Sequence, residues 1–169
     1  MDEQNEFGFL NNQNDTRVAR RKYGRFGTVG KNGCGMIALY NIERAADQRT
    51  QFEAFYEARD RIKTNMMGLL GTRQSTIAKN LKRMRFQVQR ISIPNAAEAE
   101  PFDGVIVLYW WLFGAHYVAG IRNERGTYTF YNQFSTPYDM PLQDFITYLK
   151  QKKLHPHRIW GVRFPEKQE

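Results

Sequence analysis

The apolar residues change their spacing near residue 86, and that change limits the fold more than any other feature. From residue 34 to about residue 86 they recur at helical intervals, and from residue 87 to 132 they alternate or run together as they do in strands. Residues 34–47 predict a first helix, since Met36 to Ala46 holds strong helix formers and no breaker. Its apolar side chains spread around much of the circumference, as in a helix buried inside a domain. A second helix is predicted over 50–67, with Phe52, Phe55, Tyr56, Ile62 and Met66 at helical spacing before Gly68 and Gly71 punctuate the chain. Ser75 is placed to cap a third, over 75–84, with Ile77, Leu81 and Met84 on one stripe.

Beyond that point the pattern is of strands. Residues 87–93 alternate, Pro94 to Pro101 reads as a loop, and strands are predicted over Val105–Leu112, His116–Arg122, Thr127–Asn132 and Arg158–Phe164. Asn123 to Gly126 is a turn, so the strands on either side of it should form a hairpin. A final amphipathic helix over 141–151 carries Leu142, Phe145, Ile146 and Leu149 on one face. Helices first and an antiparallel sheet second make an α+β layout, with N-terminal helices packed on a C-terminal sheet.

At 169 residues the chain is most simply one domain with a sizeable core. Residues 1–30 are rich in Asn, Gln, Gly and charge and read as a polar, basic arm, leaving 31–169 as the domain. A single cysteine excludes an internal disulfide. The N-terminus has no signal-peptide pattern, and the longest apolar run, Val105 to Phe113, is strand-sized rather than membrane-spanning, so a cytoplasmic location is the default expectation. The net charge of +8 favours polyanions, acidic partners or anionic lipid. That charge is segregated: residues 1–15 hold four acids and no bases, and residues 16–31 hold six bases and no acids. Such blocks are usually solvated, and a basic docking arm is the sharper alternative.

The lone cysteine sits in Lys31-Asn32-Gly33-Cys34-Gly35, at the predicted start of the first helix. Flanking glycines let the backbone turn tightly there, and the positive end of a helix dipole lowers a thiol pKa toward the reactive thiolate. A buried structural cysteine is the plainer alternative. Downstream, His116 begins one strand of the predicted hairpin and Asn132 ends the other, so the two should be neighbours at one sheet edge. An imidazole held by a side-chain carbonyl has its tautomer and orientation fixed, as a base that partners a thiol requires. Cys34, His116 and Asn132 therefore form a candidate nucleophile, base and orienter.

Three stretches carry a family resemblance: Asn32-Gly33-Cys34-Gly35 with its helix, Gly71 to Phe86, and Asp103 through Gly114-Ala115-His116-Tyr117-Val118 to Tyr131-Asn132. Together they resemble the papain-like cysteine peptidases, and most closely the bacterial branch that contains the leader-peptide-cleaving domains of bacteriocin exporters. The resemblance spans about residues 30–150 and implies a papain-like fold, a thiol hydrolase acting on peptides or other amides through a thioester acyl-enzyme, and a peptide or protein substrate. It implies Cys34 as nucleophile, His116 as general base and acid, and Asn132 as orienter, with no cofactor. Relatives use Asp or Asn in the third place. The family has a Gln six residues before the nucleophile, where its amide helps hold the oxyanion, and this chain has Thr28 there. The Cys34 N–H, with Thr28 Oγ1, the Asn32 amide or a Gln from the arm, is the substitute donor set.

Other readings compete. Gly71 to Arg83, with Arg73, Lys79, Lys82, Arg83 and Arg85, also resembles the recognition helix of a helix-turn-helix nucleic-acid reader, although an amphipathic helix with a basic solvent face explains the same residues. A catalytically degenerate papain-like binding domain is a further alternative. His155-Pro156-His157 lacks the Cys or acidic companions of a metal site and reads as a turn. Tyr109-Trp110-Trp111 reads as strand core on one face and as a wall for a peptide groove on the other.

Overall fold

A computed structural model describes residues 8–68, 71–96 and 101–166. In chain order the elements are β1 (Lys22–Tyr23), β2 (Gly27–Thr28), α1 (Val29–Asn32), α2 (Cys34–Ala46), α3 (Phe52–Glu57), α4 (Gln74–Arg83), β3 (Gln87–Ile91), β4 (Gly104–Trp111), β5 (Gly114–Arg122), β6 (Tyr128–Tyr131), β7 (Tyr138–Met140), α5 (Leu142–Gln151) and β8 (His155–Arg163). The helices come first and a six-stranded sheet follows, in the order β3-β8-β4-β5-β6-β7. Every neighbouring pair in it is antiparallel.

Both faces of this sheet are covered. Along β4, Ile106 and Leu108 join the core under α2, while Val105, Val107 and Tyr109 join the core under α5. A central strand buried on both faces reads as a continuous apolar run, which is how β4 appears in the sequence. Helix α2 is buried from Cys34 through Ile42, in agreement with an apolar circumference. Tyr40 on α2 meets Phe52 and Phe55 edge to face, at ring separations of 5.2 and 5.6 Å. Each such pair adds about 0.5–1.5 kcal/mol beyond the area it buries. On the other face, Phe130 of β6 stacks on Phe145 of α5 at 4.0 Å.

Several expectations need correction. The helix predicted over 50–67 stops at Glu57 and gives way to 3-10 turns at Ala58–Arg61 and Asn65–Gly68. The chain doubles back here: Thr64 bridges Thr72, and the Asn65 N–H donates to the Gly71 carbonyl. Tertiary pairing thus overrides helical spacing, and Met66 ends up exposed. Strand β8 begins at His155, three residues earlier than expected, because Pro156 sits where the register with β4 shifts and no ladder N–H is required. The short edge strand β7 has too few residues to show a period.

The stretch 1–30, expected as an arm, is packed from residue 8 onward, with Leu10, Val18, Tyr23 and Val29 all buried. The buried Asn41 side chain of α2 holds Leu10 by accepting its N–H and donating to its carbonyl, each at 2.9 Å. Part of the basic block is used internally, since Arg21 pairs with Glu53 and lies over the Phe52 and Tyr56 rings. In α4, Ile77 and Leu81 point inward with Thr76 and Asn80, whereas Lys79, Lys82 and Arg83 face solvent. Among the described residues no helix is long and apolar enough to cross a membrane.

Candidate active site

Cys34 is the first residue of α2, reached from α1 through the single residue Gly33. The flanking glycines are required by close packing rather than by unusual backbone angles. A Cβ on Gly35 would lie 2.6 Å from Thr72 Cβ, and one on Gly33 would lie 2.6 Å from the Val29 carbonyl oxygen. Thr72 is itself fixed from two strands: its hydroxyl hydrogen-bonds the Tyr23 hydroxyl at 2.5 Å, and its carbonyl accepts from Tyr117 Oη at 3.1 Å. The helix start is therefore pressed against a buried polar knot.

His116 is the third residue of β5, and its ring and the Cys34 thiol are close enough to shift each other's pKa. Burial pushes the thiol pKa up. The hydrogen bond and charge of His116, with the N–H groups of Tyr117 and Gly35, outweigh that and leave Cys34 below its ordinary range. Burial likewise pulls the imidazole down, and the bond and charge of Cys34, with the Asn132 carbonyl, leave His116 above its ordinary value. The opposite shifts favour a thiolate–imidazolium pair.

Asn132 closes the group in an unexpected way. His116 Nε2 lies 2.7 Å from the main-chain carbonyl oxygen of Asn132, not from its side chain. A carbonyl only accepts, so Nε2 carries a hydrogen and Nδ1 keeps the lone pair in the neutral ring. Asn132 sits at φ +65°, a left-handed conformation that Asn tolerates better than most residues, and this turns its carbonyl toward the imidazole. The expected side-chain orienter is corrected to a main-chain one. The Asn132 amide instead faces the N-terminal segment, accepting from the Gln13 N–H at 3.0 Å and donating to Gln13 Oε1 at 3.2 Å. Gln13 Nε2 continues to the Gly30 carbonyl at 2.8 Å, and the Asn132 N–H donates to Asn11 Oδ1 at 3.0 Å. A polar clasp thus ties the residue that holds His116 to the segment leading toward Cys34.

Sequence reasoning missed Asn11 and offered a Gln of the arm only as an oxyanion donor, whereas Gln13 ties Asn132 to Gly30; an amide-rich run also suits an exposed arm. It also missed Gln133, which accepts from Tyr109 Oη at 2.7 Å, while the Tyr109 ring packs edge-on against His116 at 5.6 Å. The two side chains expected at the oxyanion are otherwise engaged: Thr28 Oγ1 caps α1 by accepting the Lys31 N–H at 3.4 Å, and Asn32 Nδ2 donates to the Gly68 carbonyl at 2.6 Å. Each retains one donor hydrogen. Of the His155–His157 pair, His157 stacks on Trp110 at 4.4 Å. Among the described residues no group of three or more His, Cys, Asp or Glu is arranged to hold a metal ion.

Comparison with solved structures places this architecture. The peptidase domain of Streptococcus ComA, a bi-functional ABC transporter involved in quorum sensing, is similar over 85% of this chain and 100% of that one, at a TM-score of 0.54 and 14% identity. The fold is like that of this peptidase domain. No family model matches the sequence, and no curated protein matches it.

Proposed function

We propose that the protein is a papain-like thiol hydrolase, a peptidase or amidase, with Cys34 as nucleophile, His116 as general base and acid, and Asn132 as the positioning residue. The observation that carries this reading is that Cys34 at the start of α2 meets His116 of β5, whose Nε2 is held 2.7 Å from the Asn132 carbonyl oxygen, and the shifts of the thiol down and the imidazole up agree with it. The likeness in fold to a peptidase domain supports a peptide substrate.

In this mechanism the Cys34 thiolate attacks the substrate carbonyl carbon, forming an S–C bond. The resulting oxyanion collapses, the C–N bond breaks, and the imidazolium passes its proton to the leaving amine. Water then attacks the thioester, with His116 taking its proton, and the acid product leaves as the thiol pair is restored. The Cys34 N–H, in the first turn of α2, supplies one oxyanion donor. The remaining hydrogen of Asn32 Nδ2 or of the Thr28 hydroxyl supplies the other, and losing one such donor costs on the order of 10²–10³ in rate.

The test is alkylation by iodoacetamide over a pH series, for wild type and His116→Ala, followed by turnover on a peptide and isopeptide library. Rapid alkylation near neutral pH that depends on His116, with turnover on some amide, is expected. Alkylation no faster than a free thiol in both proteins would remove the reading. His116-dependent alkylation with no turnover across the library would assign the domain to binding instead.

A further inference from the structure

We propose that the end of the sheet bearing the β4–β5 turn docks on an anionic lipid surface. β4 and β5 pair out to Trp111 and Gly114, so Leu112 and Phe113 alone form the turn and project from the sheet. Both are 87% exposed, and Trp110 and Trp111 below them are 44% and 39% exposed. Strand register puts the connection that leaves β3 at Ile91, opposite Ile159, at this end, and two others closer to the tip. β8 begins with His155 opposite Trp110, which brings the α5–β8 connection alongside, and β6 ends with Tyr131 opposite Ala119, which brings the 132–137 connection there too.

Charge on the tip and on the two connections beside it has one sign. Residues 110–116, 132–137 and 150–157 contain Lys150, Lys152, Lys153 and three histidines, and none of the three stretches has an Asp or Glu. The three lysines are exposed. An apolar tip that stands out from the fold offers no concave pocket of the kind peptides and small ligands fill. It does match a deformable interface, where Leu and Phe enter the acyl boundary, Trp sits at headgroup depth and Lys meets anionic headgroups. His116 lies two residues past Gly114 on the same hairpin, so docking would hold the Cys34–His116 pair close to the lipid surface. This goes beyond the hydrolase reading and does not depend on it.

The test is co-sedimentation of the full chain with vesicles of equimolar phosphatidylglycerol and phosphatidylcholine, and with vesicles of phosphatidylcholine alone. Wild type should partition onto the anionic vesicles and blue-shift the emission of Trp110 and Trp111. Leu112→Ser/Phe113→Ser and Lys150→Glu/Lys152→Glu/Lys153→Glu should each weaken binding by about tenfold or more, with unchanged melting temperature and unchanged thiol alkylation. Wild type that stays in the supernatant overturns the proposal, as does unaltered binding by either variant or equal binding to neutral vesicles. A wild-type dimer that dissociates in Leu112→Ser/Phe113→Ser without any vesicle binding would assign the tip to a second copy of the chain, and would also overturn it. Vesicle binding is read without turnover, so its failure leaves the thiol chemistry untouched.

Discussion

Cys34 stands on a helix whose first nine residues are buried and whose start is pressed against Thr72 with no room for a Cβ on Gly35. His116, by contrast, stands at a strand end where β6 has already stopped pairing, and amides from far along the chain hold its partner Asn132. One half of the site is fixed by excluded volume and the other by hydrogen bonds. Excluded volume is unforgiving of added atoms, since close-packed interiors relax little. A part-buried hydrogen-bond clasp gives way by small steps, because each bond contributes only about 0.5–1.5 kcal/mol net.

The strongest challenge to this contrast is removal of the imidazole itself. His116→Ala should lower turnover on the order of 10²–10⁴-fold, measured as kcat/KM on any amide substrate found. It should also move the alkylation inflection of Cys34 upward, because burial then acts on the thiol without its opposing charge. On the proposed mechanism the Cys34–His116 pair needs thiolate and imidazolium together. Activity should rise with pH through the lowered Cys34 pKa and fall through the raised His116 pKa, so both shifts widen the active range.

Next in size is Gly35→Ala, which tests the packed half. The added methyl would lie 2.6 Å from Thr72 Cβ, and the helix start must move to admit it. The cost should be about 1–3 kcal/mol by urea denaturation, with slowed alkylation. A smaller loss is expected from Gln13→Ala, which removes the side-chain ties from the clasp to Asn132 Nδ2 and the Gly30 carbonyl but keeps the Gln13 N–H. Roughly 1–2 kcal/mol of stability should be lost, with reduced thiol reactivity at neutral pH.

The mildest and most discriminating variant is Asn132→Gly. Glycine keeps both the main-chain carbonyl and the left-handed conformation, so alkylation should drop no more than in Gln13→Ala. A collapse to the His116→Ala rate would mean that the Asn132 side chain orients the imidazole after all.

How much of this was legible follows from the same contrast. The start of α2, the turn at 123–126 and the closeness of His116 to Asn132 came from local signals: glycines beside a thiol, a period change and a four-residue turn. The clasp was not legible, because Gln13 and Asn132 are 119 positions apart and an amide-rich run has the same composition whether solvated or paired. Nor was the atom of Asn132 that faces the imidazole, since that depends on one backbone angle.

Sequence by itself settled the α+β class, the helix that carries Cys34 and the strand that carries His116, because hydrophobic period and glycine placement act over a few neighbouring residues. Tertiary structure alone decided that residues 8–30 belong to the packed body and that a carbonyl, not an amide, meets the imidazole. Those outcomes depend on long-range burial and on hydrogen-bond partners that no local pattern encodes.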